Sequence, residues 1–206
     1  MKLNFTPLLS KSIRLELLDF HHYDRLCNAV LDGELWNNRY ISVPSPLTMD
    51  TWINKNIKVM SNGSELTFVI VSQKNNMILG STCFKNIDSN HKKIEIGNTW
   101  IGESWQSTIV DIESKYLLIK KAFEEFEYHR VEFIADALNR KENLGLMALG
   151  AQREGFLRNH LVKEDGSIRH SIVYSIVHGE WPLIKDNLNN KIYSANPHEG
   201  WIARAA

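Results

Sequence analysis

The middle of the chain contains a strand pattern, a long helical pattern and a second strand pattern in direct succession. Lys93 to Ile101 (KIEIGNTWI) and Arg130 to Leu138 (RVEFIADAL) carry apolar residues as strands do, and from about Ile112 to Phe126 the apolar residues recur at helical spacing. A helix that joins two neighbouring strands brings them parallel, because the chain must cross back over the sheet. The fold must therefore accommodate a parallel pair near its centre.

The remaining patterns predict antiparallel hairpins around this pair. Turn-like polar segments separate consecutive β-rich runs, as in Gln73-Lys74-Asn75-Asn76. Further strands are predicted over Ser12–Leu18, Glu65–Ser72, Met77–Phe84, Phe156–Val162 and Ser171–Val177. Further helices are predicted over Phe20–Leu31, from Thr48 or Asp50 to Asn62, and over Arg140–Leu149. We expect an α/β (α+β) fold, with a mixed, mostly antiparallel sheet of about seven strands and helices on both faces.

Composition excludes several classes of protein. The 206 residues suit one domain, and 24 basic and 24 acidic residues cancel, which argues against a nucleic-acid partner. The N-terminus has no signal-peptide apolar core and no stretch is long enough to span a membrane, so we expect a cytoplasmic protein with no membrane partner. Neither Cys27 nor Cys83 has a second Cys or a His at the spacing of zinc ligands, and His21-His22 is interpreted as a solvated helix start. No metal is therefore predicted.

A strand, a short loop and a long helix meet at Trp100 to Lys115 (WIGESWQSTIVDIESK), a turn that offers backbone N–H groups to an anion. This segment resembles motif A of the GNAT acetyltransferases, in the RimJ/RimL-like branch that modifies ribosomal-protein N-termini. Asn139 through Ala151 (NRKENLGLMALGA) is similar to a later segment of that branch. The resemblance covers about residues 15–188 and implies the GNAT fold, with a splayed parallel pair at the acetyl-CoA site.

The resemblance implies that acetyl-CoA is the co-substrate and that the loop amides hold its pyrophosphate. Gln106 matches the opening residue of the family loop, whereas Ile109 and Asp111 stand where small residues are usual. Ile109 would hinder a phosphate, and Asp111 would place a carboxylate beside it, which would weaken or abolish CoA binding. The alternative is that Asp111 caps the helix with its side chain turned away, so that the backbone amides still bind pyrophosphate. The residues that the resemblance assigns to acetyl-CoA binding are Trp100, Ile101, Gln106, Ser107, Thr108, Ile109, Val110, Asp111 and Asn139.

Direct transfer to an amine needs a base, an oxyanion donor and a proton source for the leaving thiolate. Glu95 stands where the superfamily commonly carries an acidic residue and is the candidate base. The alternative for Glu95 is a charged strand residue that faces water, in which case a chain of water molecules would remove the proton of the amine. The oxyanion donor is expected to be a backbone N–H between Asn98 and Ile101.

The usual proton donors of the family are absent from this chain. Met147 replaces a common Tyr, and Glu142 replaces the Ser of the RimL-like branch. Tyr174 matches a Tyr of the branch, although a buried Tyr with one hydrogen-bond partner is the alternative role. Asn139 is either a contact to CoA or substrate, or the cap of the following helix.

The leading functional hypothesis is an N-acetyltransferase whose acceptor is a protein or peptide N-terminus. The alternatives are a polyamine or amino-sugar acceptor, and a GNAT-fold binding protein that has lost transfer. The region that forms the acceptor wall in this family contains Trp36, Arg39, Tyr40 and Trp52. We divide the chain into an acetyltransferase domain, 1–188, and a C-terminal extension, 189–206. Self-association through this extension would give a homodimer.

Overall fold

The computed structural model describes residues 5–163 and 165–194, and within them the chain forms eight strands and five α-helices. The strands are β1 (Leu8–Leu9), β2 (Ile13–Leu17), β3 (Leu66–Ser72), β4 (Ile78–Asp88), β5 (Lys93–Ile101), β6 (Arg130–Asp136), β7 (Gln152–Val162) and β8 (Ile168–Val177). The helices are α1 (Tyr23–Leu31), α2 (Met49–Ser61), α3 (Ile109–Lys120), α4 (Arg140–Leu149) and α5 (Trp181–Ser194).

All eight strands belong to one sheet in the order β1-β2-β3-β4-β5-β6-β8-β7. Its strands pair antiparallel except β5 and β6, which are parallel and joined by α3. The predicted mixed, mostly antiparallel sheet is confirmed. Its extra strand, β1, has two residues, which is too short to produce a sequence pattern.

Helices cover both faces of the sheet, as predicted. On β3, alternate side chains enter opposite cores because successive residues of a strand point to opposite faces. Phe68 and Ile70 join the core that contains buried residues of α3, α4 and α5. Val69 and Val71 join the core under α1 and α2. Phe68 to Val71 of β3 therefore form a continuous apolar run, as expected for a strand buried on both sides.

The parallel pair separates soon after it begins. Ladder partners join β5 and β6 from Lys93↔Arg130 to Glu95↔Glu132, and beyond this point the two strands diverge. Asn98, further along β5, has a φ of +48°, and the β4–β5 register shifts between Ser81 and Cys83. Beyond Glu95, β5 remains paired with β4 but no longer with β6, which leaves a gap between β5 and β6.

Gly80 of β4 allows a close approach at the far end of β5. A Cβ at this position would lie 2.1 Å from the Trp100 carbonyl oxygen and 2.9 Å from the Ile101 Cα. These contacts are with backbone atoms, which cannot rotate away. Glycine is therefore required here for β5 to keep its course at the gap.

Helix α3 begins three residues before the predicted start at Ile112. Thr108 is its N-cap, and the Thr108 side chain accepts a hydrogen bond from the Val110 N–H at 3.3 Å. The side chains of Ile109 and Val110 are buried in the core, so their packing favours an early start. At its C-terminal end α3 continues as a π-helical segment, Lys121–Glu125.

Helix α5 was not predicted from the sequence. Its buried residues Trp181, Ile184, Leu188 and Ile192 recur at helical spacing and contribute to the main core. The helix crosses the proposed boundary at residue 188, and the rest of the proposed extension, 195–206, lies outside the described residues. Within the part of the chain that the structure describes, no helix combines the length and the apolar character needed to cross a membrane.

Candidate active site

Two adjoining cavities lie where β5 and β6 separate. The smaller has a volume of about 260 Å³ and lies toward the N-terminus of α3. The larger, of about 610 Å³, extends along β5 toward α2 and the β4–β5 hairpin. The residues that line both cavities are Tyr40, Ile41, Thr99, Trp100, Lys115 and Glu142. These shared residues form the junction, the place where groups bound in the two cavities would meet.

Gln106 closes one end of the smaller cavity by linking β5 to α4. Its Nε2 donates to the Ile101 carbonyl at 3.0 Å, and its Oε1 accepts from the Lys141 Nζ at 3.0 Å. Lys141 is exposed and lines the smaller cavity, so its positive charge lies at the cavity entrance. An anion bound here would meet an amide and an ammonium group.

The N-terminus of α3 faces the same cavity through its preceding loop. Ser107 lines the cavity and has a φ of +60°, a left-handed conformation that turns the chain into the helix. The first N–H groups of an α-helix have no intrahelical partner and carry the positive end of the helix dipole. The backbone here is therefore suited to a phosphate group, as the loop position predicted.

The expected obstruction by Ile109 is not found. The Ile109 side chain is 2% exposed and packs in the main core, so it does not line the smaller cavity. Val110 is likewise buried, and Thr108 caps the helix. What these three residues can offer a ligand is their backbone.

Asp111 does line the smaller cavity, but its charge is compensated. Lys115, one turn further along α3, forms an ion pair with the Asp111 carboxylate. Both side chains are partly buried, with exposures of 22% for Asp111 and 12% for Lys115. An acidic residue followed by Lys at i+4 also stabilises the helix. The carboxylate therefore meets a ligand as half of a neutral pair.

Asn139 and Glu142 form a polar pair at the start of α4. Asn139 caps the helix by accepting from the Glu142 N–H at 3.2 Å, and its Nδ2 donates to the Glu142 Oε2 at 2.9 Å. Asn139 also lines the smaller cavity, so capping does not remove it from the site. Burial raises the pKa of Glu142, Lys115 opposes this effect and Asp111 reinforces it.

Glu95 is buried and ion-paired. It is 1% exposed, lies 3.1 Å from the Lys85 Nζ, and its Oε2 accepts from the Asn86 Nδ2 at 2.6 Å. The alternative of a strand charge that faces water is therefore wrong. Lys85 lies directly opposite Glu95 in the β4–β5 ladder, which brings the two charges together. Glu95 lines the larger cavity.

Tyr174 lies inside the protein and lines neither cavity. Its hydroxyl donates to the Asn143 Oδ1 at 2.9 Å, and Asn143 donates in turn to the backbone carbonyls of Asp136 and Asn139. Burial raises the pKa of the hydroxyl. This geometry matches the alternative role, a buried Tyr with one hydrogen-bond partner, which here is a side chain.

Of the four residues of the predicted acceptor wall, Tyr40 and Trp52 line the cavities. Tyr40 lies at the junction, and Trp52 lines the larger cavity, edge-on to Trp100 with ring centroids 6.4 Å apart. Arg39 contributes its carbonyl, which accepts from the Lys163 Nζ at 3.1 Å. Trp36 packs against the core under α1 and α2. Trp52 thus packs against the core and also lines the larger cavity.

The smaller cavity brings most of the predicted acetyl-CoA residues together. Those that line it are Trp100, Ile101, Gln106, Ser107, Asp111 and Asn139. No binding role was predicted for Lys115, Lys141 or Glu142, which also line it. Their position two or three residues after Asn139, or one helical turn after Asp111, is the signal that could have identified them.

His22 is not solvated, contrary to the prediction for the His21-His22 pair. It is buried, its Nδ1 accepts from the Asp19 N–H at 3.0 Å, and its Nε2 lies 3.0 Å from the Glu16 Oε2. Burial lowers the pKa of His22. Glu16, His21 and His22 place potential ligand atoms within 4.8 Å of one another. Both ring nitrogens of His22 already have protein partners, and Glu16 is ion-paired with Arg14.

Comparison with known proteins agrees with this arrangement. YdaF of Bacillus subtilis, which has the provisional name ribosomal N-acetyltransferase, is 25% identical over 190 residues, which are 86% of this chain and 97% of that protein. A provisionally assigned acetyltransferase of T. thermophilus superposes with a TM-score of 0.79 at 28% identity, over 94% of this chain and 100% of that one. RimL, a ribosomal L7/L12 alpha-N-protein acetyltransferase, shares the fold with a TM-score of 0.74 at 20% identity, over 84% of this chain and 94% of that one.

A family model described as an acetyltransferase (GNAT) domain matches residues 13–152, which is more than half of the chain. The matched segment contains the splayed pair β5–β6, the N-terminus of α3 and the cap of α4. The chain therefore belongs to the GNAT acetyltransferase family and is an N-acetyltransferase.

Proposed function

We propose that the protein transfers an acetyl group from acetyl-CoA to a primary amine, and that the acceptor is a protein or peptide N-terminus. The observation that supports this proposal is the pair of cavities that meet where β5 and β6 separate. One cavity contains groups that suit a phosphate, and the other opens toward the predicted acceptor wall. A donor and an acceptor entering from the two sides would meet at the junction.

The residues present fit acetyl-CoA. The N-terminus of α3, Gln106 and Lys141 would hold its pyrophosphate, while the Lys115–Asp111 ion pair limits repulsion. The indole N–H of Trp100, a residue that lines both cavities, is buried with no hydrogen-bond partner among the described residues. Acetyl-CoA supplies an activated acetyl group as a thioester.

The protein residues would position the attacking amine and remove its proton. Glu95, in the larger cavity, is our candidate to take this proton, either directly or through a water chain. A backbone N–H between Asn98 and Ile101 would stabilise the developing oxyanion. Asn139 would orient the bound substrate from the start of α4.

The names of two relatives favour a protein acceptor, because both YdaF and RimL are named for ribosomal substrates. One observation favours a polyamine as the second candidate. The larger cavity contains Glu65, whose carboxylate could attract an additional ammonium group of such a molecule, while Glu95 is already paired there with Lys85. The two acceptor classes differ in what they would present to this cavity.

Calorimetry with acetyl-CoA tests the first part of the proposal. We expect saturable binding, weakened about tenfold in Lys141→Met because a charge-assisted hydrogen bond to phosphate is lost. Arg140→Met is the matched control: Arg140 is the exposed neighbouring residue of α4, lines neither cavity and loses the same charge. No binding of acetyl-CoA at millimolar concentration would contradict the proposal.

Release of free CoA thiol then identifies the acceptor. Peptides that begin with Ser, Ala or Met are compared with spermidine and an amino sugar. Faster release with a peptide supports the leading proposal, and faster release with spermidine supports the second candidate. Binding of acetyl-CoA without release from any acceptor would instead indicate a GNAT-fold binding protein.

A further inference from the structure

Glu142 occupies a distinctive position between the two cavities. Among the described residues, it is the one carboxylic acid that lines both of them. Asp111 lines the smaller cavity, whereas Glu65 and Glu95 line the larger one. A proton held on Glu142 is therefore accessible to groups bound on either side of the junction.

The surroundings of Glu142 orient its carboxyl group. The Asn139 Nδ2 donates to its Oε2 at 2.9 Å, while α4 supplies the backbone that fixes the side chain at the junction. Three charged groups face it from neighbouring elements: Lys115 and Asp111 of α3, and Arg169 of β8. Lys115 is ion-paired with Asp111, and an Arg169 nitrogen donates to the Ile134 carbonyl at 3.0 Å. Each cation near Glu142 thus has a second partner.

Other ionisable groups near the site are less suited to donate a proton to sulfur. Glu95 is held by Lys85 and Asn86, and the Tyr174 hydroxyl is bonded to Asn143 outside both cavities. Met147 has no proton to give and is half exposed on α4. Glu142 is therefore the group whose position suits the departing thiolate.

We propose that Glu142 is a catalytic residue that donates its carboxyl proton to the thiolate sulfur when the thioester breaks. This inference rests on the proposed function. As the carbon–nitrogen bond forms, the carbon–sulfur bond breaks, its electron pair goes to sulfur, and the Glu142 proton moves to that sulfur. The amine nitrogen loses one proton to Glu95 or the water chain, from which it passes to solvent, and the Glu142 carboxylate regains its proton from solvent. The products are an amide and a thiol, with no net change in Glu142.

Simple acidity makes this transfer favourable. An alkyl thiol has a pKa of about 8.5, above that of a carboxylic acid, so a proton moves downhill from the carboxyl group to the thiolate. Loss of hydration at the junction raises the pKa of Glu142 above its ordinary value, which keeps more of it protonated before transfer. Activity that depends on this proton falls as pH rises through the pKa of Glu142.

The test compares Glu142→Gln with Glu142→Asp. Gln can still accept the hydrogen bond from Asn139 but cannot donate an acidic proton, so acetyl-CoA affinity by calorimetry should stay within about twofold. We expect kcat for CoA release to fall about 100-fold or more in Glu142→Gln. The loss of activity at the alkaline side of the pH profile should disappear in this variant. Glu142→Asp should keep the loss of activity at the alkaline side and retain part of kcat.

The control is Glu125→Gln, which removes the same charge from an exposed residue that lines neither cavity. Wild-type turnover with an unchanged kcat and pH profile in Glu142→Gln would overturn this inference alone. Absence of acetyl-CoA binding by the wild type would overturn the proposed function and this role together. If Glu142→Gln binds acetyl-CoA poorly or unfolds, the Asp variant decides, because full activity with an unshifted pH profile would contradict proton donation.

Discussion

Glu113 anchors helix α3 to the first hairpin of the sheet. Its side chain is completely buried, and its Oε2 accepts three hydrogen bonds: from the Ser12 N–H at 3.1 Å, the Ser12 Oγ at 2.8 Å and the Ile13 N–H at 3.1 Å. Its Oε1 is buried without a partner among the described residues. Replacing Glu113 therefore tests how much one carboxylate contributes to holding the helix behind the binding loop.

The size of the effect follows from the groups left behind. Glu113→Ala leaves the N–H groups of Ser12 and Ile13 without their acceptor, at about 1–3 kcal/mol for each buried donor. We expect a loss of about 3 kcal/mol in the free energy of unfolding, or about 6–12 °C in Tm for a chain of this length. Glu113→Gln keeps an acceptor oxygen of similar position, so its loss should be about 1 kcal/mol or less.

The pH dependence of the difference provides a second test. Burial raises the pKa of Glu113 above its ordinary value of 4.5, against the opposing effect of its three hydrogen bonds. The folded chain then retains this proton to a higher pH than the unfolded chain. The contribution of Glu113 to stability is therefore greatest below pH 4.5 and falls as pH rises through the folded pKa. Glu113→Gln lacks this dependence.

Thermal and urea unfolding at several pH values measure both effects. Glu125→Ala, at an exposed position, should change the free energy of unfolding by about 0.5 kcal/mol or less and serves as the control. A cost below about 1 kcal/mol for Glu113→Ala, or a cost for Glu113→Gln equal to that of Ala, would refute the anchoring role. A stability difference between wild type and Glu113→Gln that grows with pH would show that the carboxylate is favoured in the folded state.

Two further predictions concern the site. Gly80→Ala should lower the free energy of unfolding by more than about 2 kcal/mol and reduce kcat. The reason is that its Cβ would lie 2.1 Å from the Trp100 carbonyl oxygen and must displace β5 at the junction. Urea unfolding and CoA release measure these effects, and wild-type behaviour would contradict the need for glycine. Asp111→Asn should tighten acetyl-CoA binding about threefold at low salt, and by less at high salt, because it removes a negative charge near the first turn of α3. Calorimetry measures this affinity. Weaker binding would instead show that Asp111 is needed to position Lys115.

The strand and helix pattern was predictable because it depends on local periodicity. The short continuous apolar run of β3, and the apolar residues at helical spacing along α3, identify those elements without any knowledge of neighbours. The start of α3 was not identified correctly, since burial of Ile109 and Val110 in the core favours a helix that begins at the Thr108 cap. A tertiary contact thus overrode the family loop pattern that placed these residues before the helix.

The surroundings of the candidate residues required the three-dimensional structure. Lys85 meets Glu95 because of the β4–β5 register, and a shift of one residue would have placed the two charges on opposite faces. Tyr174 and Asn143 meet across 31 positions of the chain, which no local pattern indicates. By contrast, the capping role of Asn139 was predictable, since it depends on residues within one turn.

The unusual residues of the loop do not by themselves argue against acetyl-CoA binding. Ile109 differs from the family pattern in a side chain that points into the core, whereas a phosphate would contact the backbone, which every residue except proline supplies with an N–H. Asp111 differs in charge, yet Lys115 neutralises it and Lys141 adds a cation at the entrance of the cavity. What matters for an anion is the sum of backbone donors and nearby charges, so a loop can depart from its motif at two positions and retain the physical features that the motif represents.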